Sequence, residues 1–309
     1  MKKLSALLLG LALPAGAFAS GAGTTAANFL KVSMGPRAMS MAGAYSALAD
    51  EPGAVFVNPA GLAQFEGRVA ALDFSSYLQD AKMGNASYAA DSGTRRMGLG
   101  VSFLTVGSIE RRGLTDTAGV VPELGTFDAS DLAVTLAYAS REIMPESLPR
   151  LDGGVGVKVI RSSIYNKSAF AVAADAGVIY RATDKLKLGL ALQNLGTEMK
   201  FEDESDPLPL CFRAGLGYSY SKSLNVAFEL SEYLQDEKFY PAVAAEYWFR
   251  EAFALRGGYK FGYDTGNLGS EVGLSLGFGV KVAGLGLDYA FLPFGDLGSA
   301  HRFGFWLKF

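Results

Sequence analysis

Few side chains in this 309-residue sequence are of the types that catalyse reactions or bind metals. There is one histidine, His301, and one cysteine, Cys211. An activated nucleophile needs a base and a third group that orients the base, and a structural zinc site needs about four ligands. One histidine and one cysteine supply neither set, so we predict a protein that is not an enzyme and holds no metal or cofactor. A solvated histidine in a polar loop accounts for His301.

Carboxylates cluster in the segment that contains Glu202, Asp203, Glu204 and Asp206. Paired carboxylates can act as general acid and base. This cluster is followed by proline, however, and a charged, solvated loop explains it more simply. The net charge of −3 also lacks the basic excess that a nucleic-acid partner requires.

Apolar and polar residues alternate with a period of two from about residue 68 onward, which is typical of β-strands. The clearest example is 185–195, where leucines occupy one face and Lys, Gly, Ala and Gln occupy the other. A face made of Gly, Ser and charge meets water or a polar lumen, while the apolar face meets a core or lipid.

About fourteen such segments are each near the length that a tilted strand needs to cross a bilayer. The even count fits an all-β membrane protein, a 14-stranded antiparallel transmembrane β-barrel over 68–309. The predicted strands are 68–78, 82–91, 95–107, 129–142, 152–163, 168–182, 185–197, 208–221, 223–234, 239–250, 252–263, 270–282, 284–293 and 301–309.

Link lengths predict the orientation of this barrel. Links after even-numbered strands are mostly tight, and most links after odd-numbered strands are longer, with 143–151 as an exception. Outer-membrane barrels have short periplasmic turns and longer outer loops, so we expect both termini in the periplasm. The last strand ends in Phe309, which resembles the aromatic C-terminal signal of such barrels.

Charged residues within the strands are expected on the inner face, because lipid disfavours them. Their mixed signs predict pairing with a plug more than an open, selective pore, with substrate binding as the alternative. By parity, the candidates to face the lumen are Lys158, Asp175, Arg181, Lys187, Arg213, Arg256, Lys260, Asp288 and Arg302.

The first 67 residues do not alternate. Residues 1–19 combine a basic start, a short apolar stretch and a small-residue cleavage site, which predicts a secretory signal peptide. Residues 20–67 are small and apolar with helix-compatible spacing. Because a barrel of fourteen strands leaves a wide lumen, we interpret this segment as an N-terminal hatch, with a periplasmic arm as the alternative.

Several motifs resemble those of the PorV/PorQ family of outer-membrane proteins. The segments that carry this resemblance are 26–31, 35–45, 49–50, 58–62, 254–260 and 288–303. The Asn58-Pro59-Ala60-Gly61 box is shared with the wider FadL-like barrels, and this wider resemblance implies fourteen strands with an N-terminal hatch that carries the box.

The resemblance implies two functions. PorV-type members are partners of type IX secretion, which implies secretion-machinery and cargo proteins as partners, with residues 108–128 as the expected contact loop. FadL-type members move hydrophobic small molecules across the outer membrane, which is the alternative function. A general diffusion porin is a third hypothesis. All three place the chain in the outer membrane of a Gram-negative-type bacterium, in contact with its lipid.

Overall fold

The computed structural model describes residues 25–32, 35–77, 81–114, 121–263 and 265–309. The predicted signal peptide, 1–19, lies outside these residues. No helix in the described ranges is both long and apolar enough to span a bilayer.

Fourteen antiparallel strands form a closed barrel, in which the first strand pairs with the last. The predicted fold class is therefore confirmed. Two further short strands, Met199–Phe201 and Glu204–Asp206, form a separate hairpin. The strands are β1 Arg68–Ser76, β2 Lys82–Ser92, β3 Arg95–Arg112, β4 Glu123–Ser140, β5 Leu151–Ile164, β6 Lys167–Arg181, β7 Leu186–Gly196, β8 Met199–Phe201, β9 Glu204–Asp206, β10 Cys211–Ser219, β11 Leu224–Tyr233, β12 Lys238–Phe249, β13 Phe253–Lys260, β14 Leu274–Val282, β15 Leu285–Pro293 and β16 Ser299–Lys308.

Residues that alternate in the sequence have side chains on opposite faces of the barrel wall. In β6, Phe170 and Val172 are 61% and 49% exposed on the outer face, whereas Ala171 and Ala173 are buried on the inner face. Large apolar side chains cover the outside of the barrel in the same way on its other strands. This pattern is that of a transmembrane barrel, whose outside meets lipid.

Strands β3 and β4 extend much further than the alternation predicts. They pair as far as Arg112 and Glu123, with irregular register after Val106. The predicted contact loop, 108–128, is therefore mainly a hairpin extension in the part that the structure describes. Sequence alternation misses this extension because both of its faces are exposed, so neither face has to be apolar.

The links only partly follow the predicted separation by length. The links that follow β5 and β11, 165–166 and 234–237, are short, although most other links at the same edge of the barrel are longer. On the opposite edge, the exceptional link 141–150 contains an isolated bridge between Met144 and Leu148. We call the edge with 93–94 and 283–284 the tight-turn end, and the other edge the long-link end.

Residues 25–32 and 35–66, which we call the inner segment, lie inside the barrel. At the long-link end, the Ala26 amide donates a hydrogen bond to the Pro207 carbonyl, 2.9 Å away. At the tight-turn end, Arg141 Nε donates to the Ala63 carbonyl at 2.7 Å. The segment thus crosses the lumen from one end to the other. Its helical turns are Asn28–Lys31, Pro36–Ser40, Pro52–Phe56 and Pro59–Gln64.

The two described chain ends lie at opposite ends of the barrel. Phe309 bonds to the Arg68 carbonyl at the tight-turn end, and Thr25 lies beside Asp236 at the long-link end. The start of the mature chain lies outside the described residues, so the placement of both termini in the periplasm stays a prediction. The orientation of the barrel in the membrane stays a prediction.

Candidate functional site

The Asn58-Pro59-Ala60-Gly61 box is the best-anchored part of the inner segment. Asn58 is fully buried, and its side-chain oxygen accepts a hydrogen bond from the Ala60 amide at 3.1 Å. Its side-chain nitrogen donates to the Ser46 carbonyl at 3.0 Å. Asn58 therefore caps the following 3-10 turn, where Pro59 occupies the first position, and ties it to the preceding part of the segment.

Gly61, the last residue of this box, lets its own backbone approach that of Ala49 closely. A Cβ on Gly61 would lie 2.5 Å from the Ala49 carbonyl oxygen and 2.9 Å from the Ala54 Cβ. Only glycine allows the turn to pack this closely against the rest of the segment.

The barrel wall accommodates the inner segment through a set of inward-facing glycines. At each of them, a Cβ would lie less than 3.0 Å from an atom of the segment, which real Cβ atoms essentially never do. The segment is therefore packed directly against the wall on most sides, without an intervening layer of wall side chains. These glycines are Gly98, Gly100, Gly154, Gly177, Gly189, Gly215, Gly217, Gly258, Gly277 and Gly304.

Arg37 joins the inner segment to the wall near the tight-turn end. Its Nε lies 2.8 Å from Glu246 Oε2, and its Nη2 lies 2.9 Å from Glu246 Oε1. The same carboxylate accepts a bond from Arg256 Nε at 2.7 Å, and Arg256 also pairs with Asp288. Because this arrangement is buried, each charge depends on its partners for stabilisation.

A second buried group joins the segment to β10 and β11. Glu229 Oε2 accepts bonds from the Ser46 hydroxyl at 2.7 Å and the Ser46 amide at 3.0 Å. Its other oxygen lies 3.2 Å from Arg213 Nη1, and Arg213 Nε donates to Gln193 at 2.7 Å. The carboxylate thus bridges a wall cation and the backbone of the inner segment.

A third group of buried, interacting side chains comes from the wall strands alone. Lys158 Nζ lies 2.9 Å from Asp175 Oδ2 and 2.7 Å from Asn194 Oδ1. A β-bulge between β6 and β7, with Asn194 at a φ of 62°, turns both Gln193 and Asn194 inward. The bulge therefore brings the Asn194 amide to the buried ion pair.

Of the remaining lumen candidates, Arg302 is fully buried and interacts electrostatically with Asp73, and Lys260 is half-buried at the long-link end. Arg181 pairs with Asp152 at 3.1 Å, and Lys187 bonds to Gln64 of the inner segment. Sequence reasoning named the wall cations of these groups together with Asp175 and Asp288, but it missed Glu229 and Glu246. Both occupy inward positions of strands, so strand parity alone could have found them.

His301 lies in the last strand, as the predicted strand 301–309 has it, but it is not the solvated loop residue that we expected. Strand β16 begins two residues before it, at Ser299. Its ring lies 2.8 Å from the Tyr289 hydroxyl and 3.2 Å from the Ser299 hydroxyl. The histidine is a half-buried part of an aromatic group, and no carboxylate among the described residues orients it.

A cavity of about 240 Å³ lies on the long-link side of the inner segment. Five aromatic side chains dominate its lining, with ring centroids 5.4 Å apart for Tyr240 and Tyr263 and 5.8 Å apart for Tyr77 and Phe294. Tyr233, the fifth, donates its hydroxyl to the Lys31 carbonyl at 3.1 Å. We call this space the aromatic cavity.

The charged groups at the aromatic cavity are few. Lys31 of the inner segment pairs with Asp236, which also contacts Thr25. Lys260 lines the cavity, and no carboxylate among the described residues lies within 4.0 Å of its amine. A site with several aromatic rings and few polar groups suits a small, largely apolar ligand.

A second cavity, of about 450 Å³, lies on the tight-turn side. Its lining includes Arg37, Glu51, Glu246 and Asp288, so it is far more charged than the aromatic cavity. The inner segment separates the two cavities.

Neither a known protein family nor a curated protein matches the chain, but solved structures do. The toluene transporter TbuX of Ralstonia pickettii matches with a TM-score of 0.63 and 14% identity, over 89% of this chain and 98% of that one. The toluene transporter TodX of P. putida matches with a TM-score of 0.61 and 12% identity, over 89% and 98%. A Pseudomonas aeruginosa FadL homologue matches with a TM-score of 0.56 and 12% identity, over 88% and 97%.

The fold is that of these solved barrels, one of which is a FadL homologue. Identities this low establish the architecture alone. The more specific resemblance to the PorV/PorQ family receives no support from these comparisons.

Proposed function

We propose that this protein moves small hydrophobic molecules across the bacterial outer membrane and that the aromatic cavity is where they bind. The observation that carries this proposal is the cavity itself, an aromatic-lined space of about 240 Å³ inside a lipid-facing barrel. An apolar cavity of about 150 Å³ accepts benzene, so this space is large enough for a molecule with one ring.

The solved barrels of the same architecture support this choice of ligand. Two of the three reported above are toluene transporters. Toluene has one apolar ring, and its size and chemistry match the lining of Tyr77, Tyr240, Tyr263 and Phe294. We therefore place the FadL-like function first.

The filled lumen argues against a general diffusion porin. The inner segment contacts the wall through ten inward glycines and is joined to it by Glu229 and Glu246. These contacts occupy lumen space that an open, water-filled pore would need. In this interpretation the inner segment acts as the hatch predicted from the sequence.

The role as a secretion partner has weaker support. It depends on the sequence motifs alone, and the expected contact loop, 108–128, is mainly a pair of strand extensions in its described part. Recovery of secretion components or cargo with the purified barrel would restore this hypothesis.

Deletion of the gene tests the proposal in cells. We expect lower uptake of toluene, full recovery when the gene is returned on a plasmid, and no change for a hydrophilic sugar. Unchanged uptake across toluene, other monoaromatic hydrocarbons and a long-chain fatty acid would overturn the proposal.

A further inference from the structure

An apolar groove of about 490 Å³ crosses the outer face of the wall formed by β4, β5, β6, β7 and β10. Its floor contains the small residue Ala176, which pairs with Val155 of β5, while Ile143 covers Gly153 at one edge. Larger side chains, including Tyr138, rise on both sides of this floor.

The groove lies on the outer face of the barrel, which contacts the acyl chains of the membrane. Its outward neighbours Val155 and Tyr138 are 55% and 41% exposed on the face that meets lipid. From β4 to β10 the groove crosses four inter-strand steps of about 4.8 Å, or roughly 19 Å in all. One leaflet of a bilayer has a hydrocarbon depth of about 15 Å, so the groove is long enough for one acyl chain.

A cation marks one end of the groove. Ser140 lines the groove near the tight-turn end and pairs directly with Arg95 of β3. Arg95 is exposed and has the same parity as Met97 and Leu99, whose side chains cover the lipid face. Among the described residues, no carboxylate lies within ion-pair distance of Arg95.

We propose that this groove binds a phospholipid of the leaflet at the tight-turn end. Its phosphate lies at Arg95 and Ser140, and one acyl chain occupies the groove over Ala176, beside Ile143. A guanidinium at the headgroup level suits a phosphate, and an apolar channel with a floor of small residues suits a flexible hydrocarbon chain.

This lipid differs from the other lipids around the barrel because it stays bound to the protein for longer. A chain seated in a channel loses more contacts when it leaves than one lying on a smooth wall. We therefore expect the lipid to remain on the protein after extraction in a mild detergent.

Native mass spectrometry of the purified full-length barrel tests this site. We expect one retained phospholipid on the wild type, and at least fivefold less of it on Ala176→Leu, which fills the channel, and on Arg95→Gln, which removes the cation. Ala174→Leu is the matched control, because Ala174 is exposed on the same face of β6 but outside the groove. Arg250→Gln removes another exposed cation at the tight-turn end.

Both controls are expected to retain the lipid. The heat-dependent gel shift of barrels reports folding for each variant, and Arg95→Gln keeps the test valid if Ala176→Leu does not fold. The proposal is overturned if the wild type retains no phospholipid, or if Ala174→Leu loses as much as Ala176→Leu. It is also overturned if the retained species is a lipopolysaccharide or a second copy of the chain.

Discussion

The side-chain oxygen of Asn58 occupies the space into which a side chain at Gly177 would project. The Asn58 box and the barrel wall are therefore complementary at the level of single atoms. The Leu190 carbonyl, 3.2 Å from the same position, closes the space from the other side.

Gly177→Ala should displace Asn58 and loosen the inner segment, because the added methyl group has no free space. Overpacking of this kind typically costs about 1–3 kcal/mol. We expect faster proteolysis of the inner segment in the folded barrel and a lower midpoint of urea unfolding.

Gly156→Ala is the matched control for this prediction. Gly156 lies on β5, and its added Cβ would have ordinary contacts, 3.5 Å from the Leu136 carbonyl and 3.7 Å from Asp175. We expect it to behave like the wild type. Equal proteolysis of the two variants would show that the contact between Asn58 and Gly177 does not hold the segment in place.

Glu246 neutralises two buried arginines, so Glu246→Gln should be strongly destabilising. Removal of one partner from a buried ion pair costs about 3–5 kcal/mol, because the remaining charge is left uncompensated. Arg37 and Arg256 would face each other across the substituted position. Reversible unfolding in lipid vesicles would measure the change in free energy.

Glu232→Gln on β11 provides the comparison, since Glu232 is exposed. Substitution of an exposed side chain usually changes stability by less than about 0.5 kcal/mol. If Glu246→Gln were no more destabilising than Glu232→Gln, the ion-pair group around Arg37 would not anchor the inner segment.

We expect Glu51 to make the stability of the inner segment's attachment to the wall dependent on pH. Burial raises the pKa of Glu51 to about 7, although Arg37, 3.7 Å away, acts in the opposite direction. The nearby carboxylates Asp50 and Asp288 raise it further. The folded state binds this proton more tightly than the unfolded state does. The contribution of Glu51 to the free energy of unfolding is therefore full below about pH 4.5 and is lost as pH rises through 7.

The measurement is the free energy of unfolding of wild type and Glu51→Gln between pH 4 and pH 9. We expect the variant to gain stability relative to the wild type as pH rises, with most of the change between about pH 4.5 and 7.5. A difference that stays constant across this range would contradict the raised pKa.

The sequence was sufficient to predict the barrel because its wall separates two chemically different surroundings. Lipid on one side and the inner segment on the other impose a period of two, as in 185–195, and this period is visible without any alignment. Where both surroundings are water, as at Ile109 and Glu110 of β3, the period disappears and the strand could not be predicted.

The candidate site was predictable only in part. The Asn58 box is a local motif, whereas Tyr77, Tyr240, Tyr263 and Phe294 come from four separate links or strand ends and meet only in the closed barrel. The sequence shows the inward glycines at alternating positions of the strands. Their role depends on which residue of the inner segment contacts each one, which no local pattern specifies.

The initial rate of toluene uptake by cells that carry either of two tryptophan variants tests the central claim most directly. Leu292 lines the aromatic cavity from β15, so Leu292→Trp should fill it, whereas Leu287 is 56% exposed on the lipid face of the same strand. A loss of about 1.4 kcal/mol in binding weakens affinity tenfold, so we expect about tenfold slower uptake at low toluene for Leu292→Trp. We expect no change for Leu287→Trp. Equal rates for Leu292→Trp and wild type, with both barrels folded and equally abundant, would contradict the assignment of the aromatic cavity as the binding site.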